Sequence, residues 1–201
     1  LKTVRLPPLL PQDLTRYYGT LSKDKKGKLR NPRQATDAAL MTTAFQAVCR
    51  AGDLIPQAHH KFNPSQHCTR SDWAKTKHGG ELRITDHKTK SCDENDYKQL
   101  PKLPRGGNQA LSACEMINRM IKLTPTPPHL TDETCPLFCD KNGRSRDYRD
   151  ALRTVKRIAK LLPGGPSRYG AHSLRIGGGP EAAACKSVDR LALQLMGIWA
   201  G

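Results

Sequence analysis

The sequence predicts a mainly α domain with a small three-stranded antiparallel sheet (α+β), and three observations carry that expectation. Apolar residues recur three and four positions apart in several separate stretches, the period of helices with one buried face. Short alternating segments flank Gly79-Gly80, the mark of a hairpin. With 201 residues, 36% of them hydrophobic, the chain can bury one real core, yet no apolar run approaches the roughly eighteen residues that a membrane span needs.

Residues 1–33 hold Pro7, Pro8, Pro11 and Pro32, with Lys23, Lys25, Lys26, Lys28, Arg30 and Arg33 grouped around Gly27. They are expected to form a basic, partly mobile segment or linker, serving as a solvated connection, a nuclear-import signal or a phosphate-binding arm. From Gln34 the pattern turns helical, because Leu40, Met41, Ala44, Phe45, Val48 and Cys49 recur at helical spacing, with Arg50 at the C-terminal end. After a loop through Pro56 and Pro64, strands are expected over 73–77 and 81–86 around a Gly79-Gly80 turn, and a third over 97–101.

A second helix is expected over 108–122, where Leu111, Cys114, Ile117, Met120 and Ile121 cluster, and the prolines of 125–128 end it. Cys135-Pro-Leu-Phe138 then precedes a turn at Gly143. Over 147–162, Leu152, Val155, Ala159 and Leu162 form one stripe while Arg149, Arg153, Lys156, Arg157 and Lys160 spread over the rest, which makes an amphipathic basic helix. Pro163-Gly-Gly-Pro166 stops it, and two helical segments are expected over 182–185 and 188–196. The domain division is therefore 1–33 and 34–201.

Thirty-four Lys and Arg against 18 Asp and Glu give a formal charge of +16. Such a chain repels itself unless a polyanion offsets the charge, so nucleic acid is the first partner to consider. A membrane-surface helix would need aromatics on its apolar face, and aromatics are only 5% of the chain. The seven cysteines are odd in number and lack paired C-x-x-C spacing, which favours a reducing compartment and thiols. Cys135 and Cys139 have no comparable second pair, which argues against a structural zinc site. No metal and no cofactor are expected.

The residues with most chemical content lie near the end of the chain. Tyr169-Gly-Ala-His172-Ser-Leu-Arg175-Ile-Gly-Gly178, followed by an alanine-rich stretch and then Leu195-Met-Gly-Ile-Trp199, resembles the C-terminal signature of tyrosine recombinases and phage-type integrases of mobile elements. Three upstream blocks resemble that family in the same order. Residues 44–54 (AFQAVCRAGDL) are similar to the helix that delivers the family's first catalytic arginine, which puts that role on Arg50; an arginine complementing a helix C-terminus is the other reading. Asn63-Pro-Ser65, Asp72-Trp73, Gly80-Glu-Leu-Arg-Ile84 and His87-Lys-Thr89 resemble the hairpin whose turn carries the catalytic lysine. Lys88 takes that role, with Lys90 as rival and an ordinary solvated lysine as the alternative to both. Cys135-Pro-Leu-Phe through Gly143 resembles the segment before the H-x-x-R helix.

The resemblance implies a tyrosine recombinase catalytic-domain fold over about 35–201 and a specific chemistry. Moving a phosphodiester without a metal needs fixed cations to hold the non-bridging oxygens as charge builds on phosphorus. Arg50 and Arg175 would clamp the phosphate, each able to bind two oxygens in a fork. His172 would donate a hydrogen bond or pass a proton, Lys88 would protonate the departing 5′ oxygen, and Trp199 would donate from its indole N–H or close the last helix as a core aromatic. Arg149, Arg153, Lys156, Arg157 and Lys160 would bind DNA. The implied partners are double-stranded DNA and further protomers assembled on it, with no membrane, in the nucleus or nucleoid according to host.

The nucleophile implied by the resemblance is a tyrosine that forms a 3′-phosphotyrosyl link. It should lie about one short helix beyond Trp199, whereas the sequence stops at Gly201, and Tyr17, Tyr18, Tyr97, Tyr148 and Tyr169 do not match its position. The chain is accordingly expected to be a fragment that lacks its nucleophile. Ile198 replaces a usual basic residue, and Pro180 falls where the family's helix continues, unless a new helix starts there. A non-catalytic double-stranded DNA-binding derivative is the alternative function. A basic RNA- or ribosome-associated protein, in which the H-S-L-R run is coincidental, is a third.

Overall fold

A computed structural model describes residues 6–84, 97–101 and 112–184. Its centre is helix α2 (Pro32–Gln46). The Asn31 side chain accepts the Gln34 N–H at 3.1 Å and Pro32 occupies the first turn, so the helix begins two residues before the Gln34 start that apolar periodicity implies. Every residue from Ala35 to Phe45 is buried. Small side chains at Ala35, Ala38, Ala39 and Ala44 allow neighbours to close on all sides, which explains why the expected single apolar face understates the burial. Helices α3 (Ala51–Leu54), α4 (Ala113–Leu123), α5 (Tyr148–Ala159) and α6 (His172–Ala184) pack against α2.

The N-terminal segment departs from the expected linker. Residues 11–19 form helix α1 (Pro11–Gly19), and Leu9, Leu14, Tyr17 and Tyr18 enter the same core as α2. The Tyr18 hydroxyl lies 2.6 Å from Thr42 Oγ1 and donates to the Ala38 carbonyl at 3.2 Å, both on α2. Even the lysine-rich stretch is ordered by short-range bonding: Lys23 bridges to Leu29, and the Asp24 carboxylate accepts the N–H groups of Lys26 and Lys28. Gly27 supplies the positive φ of 73° that this turn requires. Two aromatic rings and four leucines in the core (Leu9, Leu14, Leu21 and Leu29) make residues 9–29 part of the domain, not a connector to it.

The sheet has three antiparallel strands in the order β1 (Trp73–Thr76), β2 (Gly79–Arg83), β3 (Tyr97–Pro101). Thr76 pairs with Gly79, so the hairpin turn is Lys77-His78 and the two glycines belong to β2. The reason is steric. A Cβ at Gly80 would lie 2.0 Å from the Trp73 ring, so a side chain there would displace the indole that covers the strand. Leu82, Ile84 and Leu100 carry the sheet's inner face into the core.

Helix α5 opens with Asp147, whose carboxylate accepts the Asp150 N–H at 2.9 Å, and it buries Ala151, Val155 and Ile158 with Leu162 beyond its end. Val155, Ala159 and Leu162 of the expected stripe are buried, while Leu152 is only half-buried and Ala151 and Ile158 complete the buried face. Helix α6 runs without a break from His172 to Ala184. Pro180 is thus internal and does not restart a helix. The expected separate segment at 182–185 merges into α6, while that at 188–196 lies outside the described residues.

Two glycines set how closely α6 approaches the rest of the domain. A Cβ on Gly177 would stand 1.6 Å from the Leu9 carbonyl oxygen, and one on Gly178 would stand 2.1 Å from the Phe45 carbonyl oxygen. Both obstacles are backbone, which cannot rotate away. Gly178→Ala should therefore lower the unfolding free energy by about 1–3 kcal/mol, measured by urea denaturation. Gly19→Ala, where nothing lies within 4 Å, should be neutral or slightly stabilising; equal losses at the two sites would contradict the close approach.

Candidate functional site

The site begins where α2 stops. The Val48 N–H donates to the Phe45 carbonyl and the Cys49 N–H to the Ala44 carbonyl, a Schellman closure that needs a left-handed residue between them. Val48 takes that conformation at φ 51°, although a β-branched side chain resists it and glycine is usual there. The chain then turns so that Arg50 precedes α3 instead of ending the long helix, which corrects the expected placement. The Arg50 N–H donates to the Asp53 carboxylate at 2.7 Å. Its side chain is exposed while Cys49, Ala51 and Asp53 on either side are buried. The guanidinium is thus carried on a fixed backbone and faces outward.

His172 and Arg175 come from the first turn of α6, where a spacing of three puts both on one face. The intervening Ser173 and Leu174 are fully buried. The Ser173 hydroxyl accepts the Gly170 N–H at 3.2 Å, and its carbonyl accepts the Leu9 N–H at 2.9 Å. Pinned by these bonds, the helix start leaves His172 exposed and Arg175 half-buried.

The two elements meet electrostatically. The His172 pKa lies below its ordinary value, first through loss of hydration and then through the positive charges of Arg175 and Arg50. Both guanidinium groups therefore act on one imidazole, although Arg50 stands far from the other two in sequence. Near neutral pH the ring is mainly unprotonated, and an anion entering among the three groups would favour its protonation. Lys88, its rival Lys90, Trp199 and Ile198 lie outside the described residues.

The five cations expected to bind DNA on α5 divide into two sets. Arg149, Arg153 and Lys160 are exposed, and Arg153 pairs with Asp150 one turn away. Lys156 instead donates from Nζ to the carbonyls of Pro166 and Tyr169, each at 2.6 Å. It thereby holds the 3-10 turn Pro166–Arg168 and the residues that lead into His172. Arg157 contacts the Asp37 carboxylate at 3.4 Å, beside the buried Arg146–Asp37 pair at 2.8 Å. Lys156 is thus tied to the protein's own carbonyls, whereas Arg157 stays exposed beside its carboxylate, as Arg153 does. Asp53, Gly177 and Gly178 also shape the site; sequence reasoning missed their positioning roles because their partners are distant or backbone.

Among the described residues no group of three or more His, Cys, Asp or Glu side chains is placed to hold a metal ion. No helix among them is long and apolar enough to cross a membrane.

No family model matches the sequence, and no curated protein matches it. Solved structures do. The chain is similar to the XerH site-specific recombinase bound to palindromic difH substrate in a post-cleavage complex, with a TM-score of 0.63 at 16% identity over 98% of this chain and 48% of that one. The pre-cleavage complex of XerH bound to difH substrate gives a TM-score of 0.61 with the same identity and coverage. The chain thus spans about half the length of those proteins. At this identity the likeness establishes the fold, that of a tyrosine recombinase catalytic domain.

The His172 titration offers a direct check of the convergence. In a histidine NMR titration assigned with His172→Gln, its pKa should lie below about 6.5, and Arg50→Ala and Arg175→Ala should each raise it. An unmoved value in Arg50→Ala would place Arg50 away from the imidazole.

Proposed function

We propose that this chain is the catalytic part of a DNA breaking-rejoining enzyme of the tyrosine recombinase kind, acting on double-stranded DNA within the cell as an assembly of protomers. The reading is carried by the charges of Arg50 and Arg175, which both bear on His172 within this fold. The formal charge of +16 and the exposed Arg149, Arg153 and Lys160 support DNA as the partner, since phosphate neutralisation supplies much of such affinity.

In this reading Arg50 and Arg175 approach the scissile phosphate from two elements and bind its non-bridging oxygens as negative charge grows on them. Their guanidinium groups remain charged at any working pH and fork around two oxygens, which an amine cannot do. His172, held mainly neutral in the free protein, donates a hydrogen bond to the phosphate or takes up the nucleophile's proton. Lys88 protonates the 5′ oxygen as it departs, and the Trp199 indole N–H supplies a further donor. No step calls for a metal.

By the same resemblance the nucleophile is a tyrosine beyond Trp199. Tyr17 and Tyr18 are buried in the core, which removes those two from the role. Attack of its oxygen on phosphorus forms a 3′-phosphotyrosyl ester and releases a 5′ hydroxyl; the reverse attack by another 5′ hydroxyl rejoins the strands. The bond energy is retained in the ester, so rejoining needs no nucleotide cofactor. Integration of a mobile element is one use of this reaction.

Covalent capture tests the proposal. The full-length protein, incubated with a nicked duplex whose short 5′ fragment diffuses away after cleavage, should give a denaturant-resistant protein–DNA adduct. Arg50→Ala and Arg175→Ala should each slow its formation by about 100-fold or more, whereas Arg153→Ala, which removes one peripheral phosphate contact, should slow it by about tenfold or less. Tight duplex binding with no adduct from the wild type would instead favour a non-catalytic DNA-binding derivative.

A further inference from the structure

A second chemical cluster lies away from Arg50, His172 and Arg175, in the extended segment between α4 and α5. Cys135 and Cys139 are completely buried, with their sulfur atoms 3.9 Å apart. Their backbone is fixed on both sides: Pro136 bridges to Thr69 and Cys139 bridges to Ser145, while the Cys139 carbonyl accepts the Thr36 hydroxyl at 3.0 Å. The two thiols are therefore held opposite each other.

Arg70 gives the pair its chemical character. It is 6% exposed, and its N–H donates to the Cys135 carbonyl at 3.0 Å. Its Nη2 donates to the Thr124 carbonyl at 2.7 Å, the Thr124 hydroxyl at 3.0 Å and the Cys139 sulfur at 3.3 Å. Nε and Nη1 are buried without a hydrogen-bond partner. A guanidinium taken out of water is costly unless an anion accompanies it, and Cys139 is the acidic group that Arg70 touches. The Cys135 thiol, donating to Cys139, and then Arg70 hold the Cys139 thiol below its ordinary range, against the opposing effect of burial. The same hydrogen bond pushes Cys135 upward.

Simple packing does not account for this arrangement. A buried cysteine usually behaves as a small apolar group, and two such groups give no reason to bury an arginine beside them. Zinc is also a poor occupant, because no third ligand of the His, Cys, Asp or Glu type joins the pair among the described residues. One sulfur placed to be a thiolate beside a second thiol is the arrangement of an attacking and a resolving cysteine.

We propose that Cys135 and Cys139 are a modification site, a dithiol that small uncharged peroxides convert to a reversible intramolecular disulfide, with Cys139 as the attacking sulfur. The Cys139 thiolate attacks one oxygen of hydrogen peroxide, the O–O bond breaks, and hydroxide leaves as Cys139 becomes a sulfenic acid. The Cys135 sulfur then attacks the Cys139 sulfur, the S–O bond breaks, and the proton from Cys135 leaves with the hydroxyl as water. Two sulfurs are oxidised and one peroxide is reduced to one water and one hydroxide. The sulfur atoms have only to close from 3.9 Å to about 2.0 Å. Because both are sealed from bulk solvent, the oxidant has to be small and uncharged and to enter through local opening of the fold.

Proteolysis makes the test specific. Cleavage after Lys122 and Lys141 releases residues 123–141, which contain Cys135 and Cys139 and none of the other five cysteines. The folded full chain would be exposed to hydrogen peroxide, then denatured, alkylated and digested. The expected fragment is lighter by two hydrogen atoms and carries no alkyl group, and dithiothreitol restores double alkylation. In Cys135→Ser, Cys139 should stop at the sulfenic acid and be captured by dimedone. A wild-type fragment that stays doubly alkylated under peroxide sufficient to oxidise methionine would overturn the proposal, as would a bridge from either cysteine to another fragment. The wild-type measurement decides even if the serine variant does not fold.

Discussion

The carbonyl group of Phe45 is the point on which the candidate site depends. It lies at the end of the central helix and accepts the Val48 N–H as the chain turns toward Arg50. It is also the atom that a side chain at position 178 would strike. One backbone oxygen thus sets both the exit of the Arg50 loop and the depth at which α6 rests. The second contact, between Gly177 and the Leu9 carbonyl, fixes the other side of α6, and the Leu9 N–H bonds back to Ser173. Widening either contact by the width of a methyl group would draw His172 and Arg175 away from Arg50, because a packed interior shifts as a unit.

The same arrangement explains which cations face outward. Arg146 and Arg157 share the buried Asp37 carboxylate, Lys156 is bound to two carbonyls, and Arg70 lies inside the protein. Burial holds the Asp37 pKa above its ordinary value in spite of these guanidinium neighbours, so this pair fixes a geometry more than it adds stability. Arg50 comes from a turn and Arg175 from a helix start, and the charge of each opposes protonation of His172. Cations brought together in this way repel, and an anion between them relieves the repulsion.

Much of this was legible in the sequence, for reasons that differ by element. Periodicity located α2, α4 and α5 because each has a run of apolar residues at helical spacing, and alternation located the three strands. It failed where partners were distant or were backbone. Nothing local in Pro7 to Tyr18 announces that Leu9 meets Gly177 or that Tyr18 reaches Thr42, so a proline-rich, basic stretch passed for a linker. The Gly79-Gly80 pair resembled a turn, but the room at Gly80 is taken by Trp73. The charge of Lys156 is visible in sequence, whereas the carbonyls of Pro166 and Tyr169 that it bonds are not. In the site itself, motif resemblance named Arg50, His172 and Arg175, and the fold presents the first from a turn and the other two from a helix start.

The central claim is that Arg50 and Arg175 hold one phosphate together, and a double-mutant cycle on duplex DNA affinity measures that directly. At fixed low salt, Arg50→Ala, Arg175→Ala and the double variant would be compared with the same cycle for Arg149 and Arg153. Coupling of about 1 kcal/mol or more in the first cycle, with additive losses in the second, is the predicted result. Additive losses for Arg50 and Arg175 as well would mean that each meets its own phosphate, and the shared site would be contradicted.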